Sequence, residues 1–154
     1  MSGLSHYDES GASRMVDVSA KTPTARTARA HAFVKMSAAV LEALPKNPKG
    51  DPLETARIAG IMAAKNTASL IPMCHPLPLS HCDVRLKIEE GGIRIETTAS
   101  TTAGTGVEME AMTAAAVAAL TVYDMTKALD KGIEITGVYL LEKTGGKSGH
   151  YQRP

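Results

Sequence analysis

Two side chains of opposite charge in the longest helical segment are the first candidates for chemistry. Asp124 and Lys127 lie three residues apart, so on a helix they share one face and can form an ion pair or a coupled acid and base. From the spacing alone, a solvated surface pair is the simpler interpretation. A catalytic role requires further polar groups that the fold brings to the same place.

Three lysines beside special backbone segments are candidates for binding an anion. Lys49 comes just before a helix start at Asp51, where unpaired N–H groups and the helix dipole favour negative charge. Lys143 and Lys147 belong to a glycine-rich segment whose backbone suits phosphate oxygens. That segment lacks the spacing of a Walker A loop and the helix that would follow one. Each of these signals is weak when taken alone.

A proline-rich loop fixes the backbone around a histidine. His75 lies in the segment Ile71 to Pro78, which contains three prolines. A proton-transfer or substrate-binding role fits this histidine, and a purely structural role fits it equally well. His81 and Cys82 could join it as metal ligands, but their spacing matches no established zinc pattern. We therefore expect no metal site.

Two glutamates open the segment that contains Asp124. Glu108 and Glu110 lie in its first turn, where the helix dipole alone favours acids. Glu110 precedes Asp124 by nearly four whole turns, so the two lie on nearly the same stripe, roughly 21 Å apart along the axis. That distance is too large for one small-molecule site within one chain. If both are catalytic, the site must combine two subunits.

Periodicity predicts the elements that position these residues. Apolar alternation indicates strands, and the capping pattern from Asp51 to Glu54 indicates a helix start. The predicted strands cover 14–20, 25–36, 84–89, 93–96, 97–102 and 133–143, with a hairpin at Gly91 and Gly92. The predicted helices cover 37–44, 52–70 and 107–131, the last capped by Gly132. This order indicates an α+β fold with helices on one face of an antiparallel sheet.

Composition restricts the class of protein. A length of 154 residues suits one domain, which we place at 14–154 after a flexible arm at 1–13. A net charge of +1, one Phe and no Trp argue against a nucleic-acid module. No apolar run is long enough to span a membrane, the N-terminus lacks a secretory signal, and two cysteines suit a reducing compartment. We expect a cytoplasmic protein without membrane contact.

Alanine is common, above all at 111–119, and aromatic residues are scarce. Small side chains bury little area each, so we expect added stability from oligomerisation.

Seven segments together resemble the MoaC family of cyclic pyranopterin monophosphate synthases. They run in order through nearly the whole chain and are MVDVS (15–19), KGD (49–51), TARIAG (55–60), IPMCHPL (71–77), GVEMEA (106–111), YDM (123–125) with Lys127, and KTGGKSG (143–149). The resemblance implies a ferredoxin-like subunit in a homohexamer, a trimer of dimers, with the active site at a subunit interface. It also implies that 3′,8-cyclo-7,8-dihydroguanosine 5′-triphosphate is converted to cyclic pyranopterin monophosphate with release of pyrophosphate, in molybdenum cofactor biosynthesis.

The resemblance assigns roles by position. Asp124 and Lys127 match the catalytic pair. The residues that match substrate-contacting positions are Met73, Cys74, His75, Met109, Glu110, Arg26, Lys49, Lys143 and Lys147. The family also implies functional coupling to the radical GTP cyclase of the preceding step. The sequence carries no fingerprint of a redox cofactor, and we expect no cofactor.

Two alternatives belong to other functional classes. The same fold could serve a ligand-binding or regulatory module without catalysis, because fold does not determine function. It could also serve a hydrolase of broad nucleotide specificity, which would release pyrophosphate from GTP itself. The full set of motifs favours the synthase over both.

Overall fold

A five-stranded antiparallel sheet forms one layer of the protein, whose computed structural model describes residues 4–154. Its spatial order is β2-β3-β1-β4-β5. The strands are β1 (Thr24–Lys35), β2 (Leu79–Glu89), β3 (Gly92–Ala103), β4 (Glu134–Thr144) and β5 (Tyr151–Gln152). The predicted α+β architecture with an antiparallel sheet is confirmed, and it has the ferredoxin-like form that the family resemblance implies.

The central strand β1 shows why the sheet has one covered face. Its alternate residues Ala28, Ala30, Ala32 and Val34 are at most 1% exposed, whereas the residues between them are only partly buried. Both neighbours, β3 and β4, run antiparallel to β1, and the β4 register shifts twice. The period of two in the sequence therefore marks the face against the helices.

Helices pack on that face. They are α1 (Ala38–Ala43), α2 (Pro52–Lys65), α3 (Thr67–Leu70) and α4 (Glu108–Thr126), with a short 3₁₀ turn at Leu44–Lys46. The Asp51 carboxylate caps α2 by accepting hydrogen bonds from the backbone N–H groups of Leu53 and Glu54, as the sequence predicted. In α4 the alanines at 111, 114, 115, 118 and 119 are completely buried.

Close packing of α2 on α4 depends on one glycine. A Cβ at Gly60 would lie 3.0 Å from Val84 Cγ2 and 3.1 Å from the carbonyl oxygen of Ala114. The two helices therefore approach too closely for a larger residue at this position.

Four predicted elements differ in the structure. The strand predicted at 14–20 is wrong: the segment is irregular, and its apolar residues Val16 and Val18 face a cavity instead of a neighbouring strand. The helix predicted at 52–70 is divided at Asn66. The strands predicted at 93–96 and 97–102 are one strand, β3.

The predicted C-terminus of the last helix is also wrong. Helix α4 ends at Thr126, with Lys127 as its C-cap, so Gly132 is not the cap. The chain turns early: the Leu129 N–H donates to the Thr126 carbonyl at 2.8 Å, and the Tyr123 hydroxyl donates to the Lys131 carbonyl at 3.0 Å. These bonds of the turn take the place of helical hydrogen bonds. The apolar pattern alone predicts that the helix continues.

The predicted arm lies partly outside the described residues, since 1–3 are not included. Residues 4–14 form a small turn unit in which Tyr7 bridges Ser13. Among the helices of residues 4–154, no helix combines the length and apolar character needed to cross a membrane.

Candidate active site

The proline-rich loop and the start of α4 enclose one cavity. Its volume is about 620 Å³, enough for a nucleotide-sized ligand. The loop contributes three of the sequence-predicted residues and α4 contributes two. These five, which the fold brings together, are Met73, Cys74, His75, Met109 and Glu110.

His75 is held by the chain on the other side of this cavity. Its Nε2 lies 2.5 Å from the carbonyl oxygen of Val16. Because a carbonyl only accepts, this contact requires the proton on Nε2 and leaves Nδ1 of the neutral ring as an acceptor. The neighbouring Asp17 carboxylate accepts a hydrogen bond from the Ser19 N–H at 2.9 Å. Hydrogen bonds from Ser19, and to a smaller extent the charge of a protonated His75, lower the pKa of Asp17.

Glu110 is a buried acid at the start of α4. The residue is 4% exposed, and its side-chain oxygen Oε2 has no hydrogen-bond partner among residues 4–154. Burial, and secondarily the negative charge of Glu108, raises the pKa of Glu110 to about 7. The carboxyl group is therefore partly protonated at neutral pH and can donate or accept a proton.

The Cys74 thiol lies in the same cavity and is a poor nucleophile. Burial, followed by the charge of Glu110, raises the pKa of Cys74. The thiol form therefore dominates at neutral pH, and Cys74 suits contact with a ligand better than nucleophilic attack.

A second cavity, of about 750 Å³, is lined by basic side chains. It contains Arg26, Lys143 and Lys147. Lys143 Nζ lies 2.9 Å from Glu108 Oε1 and donates to Ser148 Oγ at 2.7 Å. Arg26 Nε donates to the Ala103 carbonyl at 3.1 Å, which orients the guanidinium. Cationic side chains in a cavity of this size suit a di- or triphosphate.

The glycine-rich loop lies directly against Arg26. Gly146 has a φ of +82°, and a Cβ there would meet Arg26 Nη1 at 2.1 Å. The positive φ favours glycine here, and an added Cβ would displace the end of the Arg26 side chain. The sequence indicated a phosphate-compatible loop, and the structure shows that its close approach serves to seat an arginine.

The two cavities adjoin. Lys21, Thr105, Gly106 and Glu108 line both of them. One elongated ligand can therefore extend from the buried Glu110 to the basic side chains of the second cavity.

Asp124, Lys127 and Lys49 form a separate cluster at the opposite end of α4. Lys127 Nζ donates to Asp124 Oδ1 at 2.7 Å, and Lys49 Nζ donates to the Asp124 carbonyl at 3.1 Å. The Asn47 side chain donates to the Met125 carbonyl at 2.6 Å and ties the two chain segments together. None of these three residues lines the two cavities described above.

Their charges stabilise one another. Hydrogen bonding and then the charge of Lys127 lower the pKa of Asp124, with a further contribution from Lys49. The same hydrogen bond and charge raise the pKa of Lys127. At neutral pH the pair is a carboxylate and an ammonium, so Lys127 carries a proton, and its raised pKa makes the ammonium a weaker acid than that of a free lysine.

A comparison of the whole chain with known proteins decides its family. The family model described as "MoaC family" matches residues 15–146. The chain belongs to the MoaC family. The family resemblance carried by the sequence motifs is thus confirmed.

Three relatives are similar in sequence to this chain over most of their own lengths. A protein of Streptomyces avermitilis is 58% identical over 152 residues, covering 97% of this chain and 89% of its own. One of Cereibacter sphaeroides is 54% identical over 156 residues, covering 99% and 98%. One of Staphylococcus aureus is 52% identical over 160 residues, covering 99% and 98%. Each is named cyclic pyranopterin monophosphate synthase.

Several cavity contacts of this MoaC family member were not predicted from the sequence. Glu108 had an adequate explanation as a first-turn acid, yet it also pairs with Lys143 across the second cavity. Lys21 lies in an irregular segment with no periodic signal. Ser5 and His6 lie in the arm and nevertheless line the first cavity. No local pattern reveals such contacts, because they depend on how distant segments meet.

Within residues 4–154, no three His, Cys, Asp or Glu side chains are grouped as metal ligands.

Proposed function

We propose that this chain is a cyclic pyranopterin monophosphate synthase, a lyase of molybdenum cofactor biosynthesis. It converts 3′,8-cyclo-7,8-dihydroguanosine 5′-triphosphate to cyclic pyranopterin monophosphate and releases pyrophosphate. The observation that carries this proposal is the junction of two cavities, one with a buried acid and a fixed histidine, the other with an arginine and two lysines. That arrangement fits a heterocycle joined to a triphosphate.

The heterocycle occupies the first cavity in this proposal. Met73 and Met109 offer apolar contact to the ring system, and the Glu110 carboxyl offers a hydrogen bond from an oxygen that has no partner among residues 4–154. His75, oriented by Val16, presents an acceptor in its neutral form. These groups can bind the guanine-derived ring and move protons during its opening and rebuilding.

The triphosphate occupies the second cavity. Arg26, Lys143 and Lys147 meet its negative charge and the charge that develops on the departing pyrophosphate. Glu108 already neutralises Lys143 at 2.9 Å. Phosphate binding therefore competes with Glu108 for this lysine, and a movement of the Glu108 carboxylate accompanies it.

Asp124, Lys127 and Lys49 reach the same ligand from a second subunit. The cavities lie near the start of α4 and the charged cluster lies near its end, so one chain does not bring the two groups together. A homohexamer built as a trimer of dimers, with the site at a subunit interface, supplies the missing half. Lys127 then acts as a proton donor and Asp124 holds it in place.

The test compares product formation by the wild type, Lys127→Ala and Lys131→Ala. Pyrophosphate and the pterin product are measured after addition of the cyclic precursor. We expect turnover by the wild type and by Lys131→Ala, which removes another exposed lysine a few residues further along. We expect no measurable turnover by Lys127→Ala. Equal turnover by the two lysine variants would refute the role of Lys127.

Failure of the wild type to turn over the precursor would refute the synthase proposal itself. Binding of the precursor without turnover would then favour a ligand-binding module. Release of pyrophosphate from GTP would instead favour a hydrolase.

The substrate also suggests the setting of the reaction. An unstable precursor favours functional coupling to the radical GTP cyclase that forms it. Cys74 and Cys82 are both free thiols, which suits the reducing cytoplasm.

A further inference from the structure

The first cavity has one wall made by the N-terminal part of the chain. We call residues 4–18 the N-terminal strap. Ser5, His6, Val16 and Val18 of the strap all line the cavity. The strap therefore touches the ligand volume at both of its ends, although it belongs to no sheet or helix layer.

Internal hydrogen bonds make the tip of the strap a folded unit. Asp8 Oδ1 accepts from the N–H groups of Ser10 and Ala12, each at 2.9 Å. Two further backbone bonds, from the Asp8 N–H to the Ala12 carbonyl at 3.0 Å and from the Arg14 N–H to the His6 carbonyl at 2.8 Å, close a small hairpin. Such a unit can move as one body without losing its own structure.

Few contacts fasten this unit to the rest of the protein. Residues 4–15 are all exposed, including Leu4 at 76% and Met15 at 49%. The strap is joined to the loop 71–78 by the hydrogen bond from His75 Nε2 to the Val16 carbonyl. A segment with little apolar burial and few tertiary hydrogen bonds opens at small cost in free energy.

That single bond couples the strap to the chemistry. Val16 fixes the tautomer and the ring orientation of His75, so an undocked strap leaves the imidazole free to rotate. His6, at the other end of the hairpin, faces the same cavity.

We propose that the N-terminal strap closes over the bound substrate as a unit, and that its docking positions His75 through the Val16 carbonyl while His6 contacts the ligand. The proposal rests on the proposed function, since it names the part of the chain that completes the same site. His6 would be a substrate-contacting residue and Val16 a positioning residue.

Protection from trypsin tests closure directly in the wild-type protein. Arg14 lies in the strap, and Lys65 at the end of α2 provides an internal reference site. We expect the cyclic precursor to slow cleavage after Arg14 by about tenfold and to leave cleavage after Lys65 unchanged, because cleavage follows the population of the open form. Equal cleavage after Arg14 with and without saturating precursor would overturn the proposal.

Turnover measured in the same samples separates the two hypotheses. Turnover without protection of Arg14 refutes the strap and keeps the synthase. Protection without turnover refutes the synthase and keeps the strap. Neither turnover nor protection refutes both.

Two matched glycine variants test whether strap folding matters for catalysis. Gly11 in the strap and Gly91 in the β2–β3 turn have φ values of +82° and +85°, and a Cβ at either position meets no atom within 4 Å. Alanine therefore introduces the same kind of backbone strain at both sites. We expect Gly11→Ala to raise KM several-fold and to weaken the protection of Arg14, and Gly91→Ala to change neither. Equal KM values for the two variants would argue against the strap.

A histidine series tests the ligand contact. His6→Ala should raise KM, and His6→Gln, which keeps a hydrogen-bonding group, should restore part of the loss. Wild-type KM in both variants would remove His6 from the site.

Discussion

Glu110 is the side chain at which this site lowers the stability of the folded protein. It is buried, its Oε2 is unpartnered among the described residues, and its pKa is raised to about 7 by burial and by Glu108. A buried oxygen without a hydrogen bond lowers the stability of the folded protein. A ligand that donates to or accepts from this carboxyl recovers that free energy on binding.

The stability of the protein should therefore depend on pH through Glu110. The folded-state pKa lies above the ordinary value of 4.5, so the folded protein keeps this proton up to a higher pH than the unfolded chain does. The contribution of Glu110 to stability falls as pH rises from about 4.5 to about 7, by an amount on the order of 3 kcal/mol at most. Glu110→Gln should remove this dependence, as urea unfolding at about pH 5 and about pH 8 would reveal.

The comparison needs a control and a fixed subunit concentration, since assembly contributes to apparent stability. Glu90→Gln, in the exposed β2–β3 turn, should leave the pH dependence as in the wild type. The free energy of unfolding of Glu110→Gln is compared with that of the wild type at each pH. The same difference at both pH values would contradict the assigned pKa.

At the scale of elements, the glycine-rich loop should be sensitive at one position and tolerant at another. Gly146 and Gly149 both have positive φ, +82° and +71°, but only Gly146 has a neighbour, Arg26 Nη1, in the place of a Cβ. Gly146→Ala should displace the guanidinium and raise KM about tenfold, the loss of a charged contact of about 1.4 kcal/mol. Gly149→Ala should affect KM little.

Steady-state kinetics of both variants provide the check. Since both carry the strain of alanine at positive φ, their difference reports on Arg26 alone. Similar KM values would mean that Arg26 does not contact the triphosphate.

The contact between α2 and α4 should also resist substitution. Gly60→Ala gains helix propensity but forces a methyl group against Val84 and the Ala114 carbonyl, so we expect a net destabilisation of about 1 to 2 kcal/mol. Thermal unfolding would register this as a midpoint lower by several degrees. In the Val84→Ala background the cost of Gly60→Ala should shrink, and an unchanged cost would indicate that Val84 is not the limiting neighbour.

The sequence carries different amounts of information about different elements. The strand at Thr24–Lys35 and the helix start at Pro52 were predictable, because alternation and capping are local signals. The segment 14–20 alternates in the same way, but its Val16 and Val18 line a cavity and do not belong to a strand. The local pattern does not distinguish a strand from a cavity-lining segment. The C-terminus of α4 depends on bonds such as the one from Tyr123 to Lys131, which only the folded chain defines.

The same limit applies to the site. The motifs identify residue types such as His75 and Glu110, but not that Val16 fixes the imidazole or that Glu108 neutralises Lys143. Those contacts join segments many residues apart.

At the scale of the whole molecule, two inactive variants should complement each other. Glu110→Ala and Lys127→Ala are each expected to be inactive, yet a site built from two subunits can take its intact halves from different chains. An equal mixture that is unfolded and reassembled together should recover about a quarter of wild-type turnover if chains associate at random. The measurement is pyrophosphate release from the mixture and from each variant treated alone.

Light scattering should accompany this experiment. A hexamer has a mass of about 97 kDa, six times the subunit mass of 16.2 kDa. A monomer with full activity would exclude a shared site, and so would mixed hexamers without recovered turnover.

Helix α4 carries the cavity acids at its start and ends beside the Asp124–Lys127 pair, with a completely buried alanine surface between them. Alanine has no side-chain rotamers to adjust, so in the proposed shared site this helix is a spacer of fixed length between the two half-sites. One inserted or deleted residue would turn Asp124 by about 100° and shift it by about 1.5 Å relative to Glu110. We therefore expect substitutions at the exposed positions of this helix to be tolerated far more readily than any change in its length.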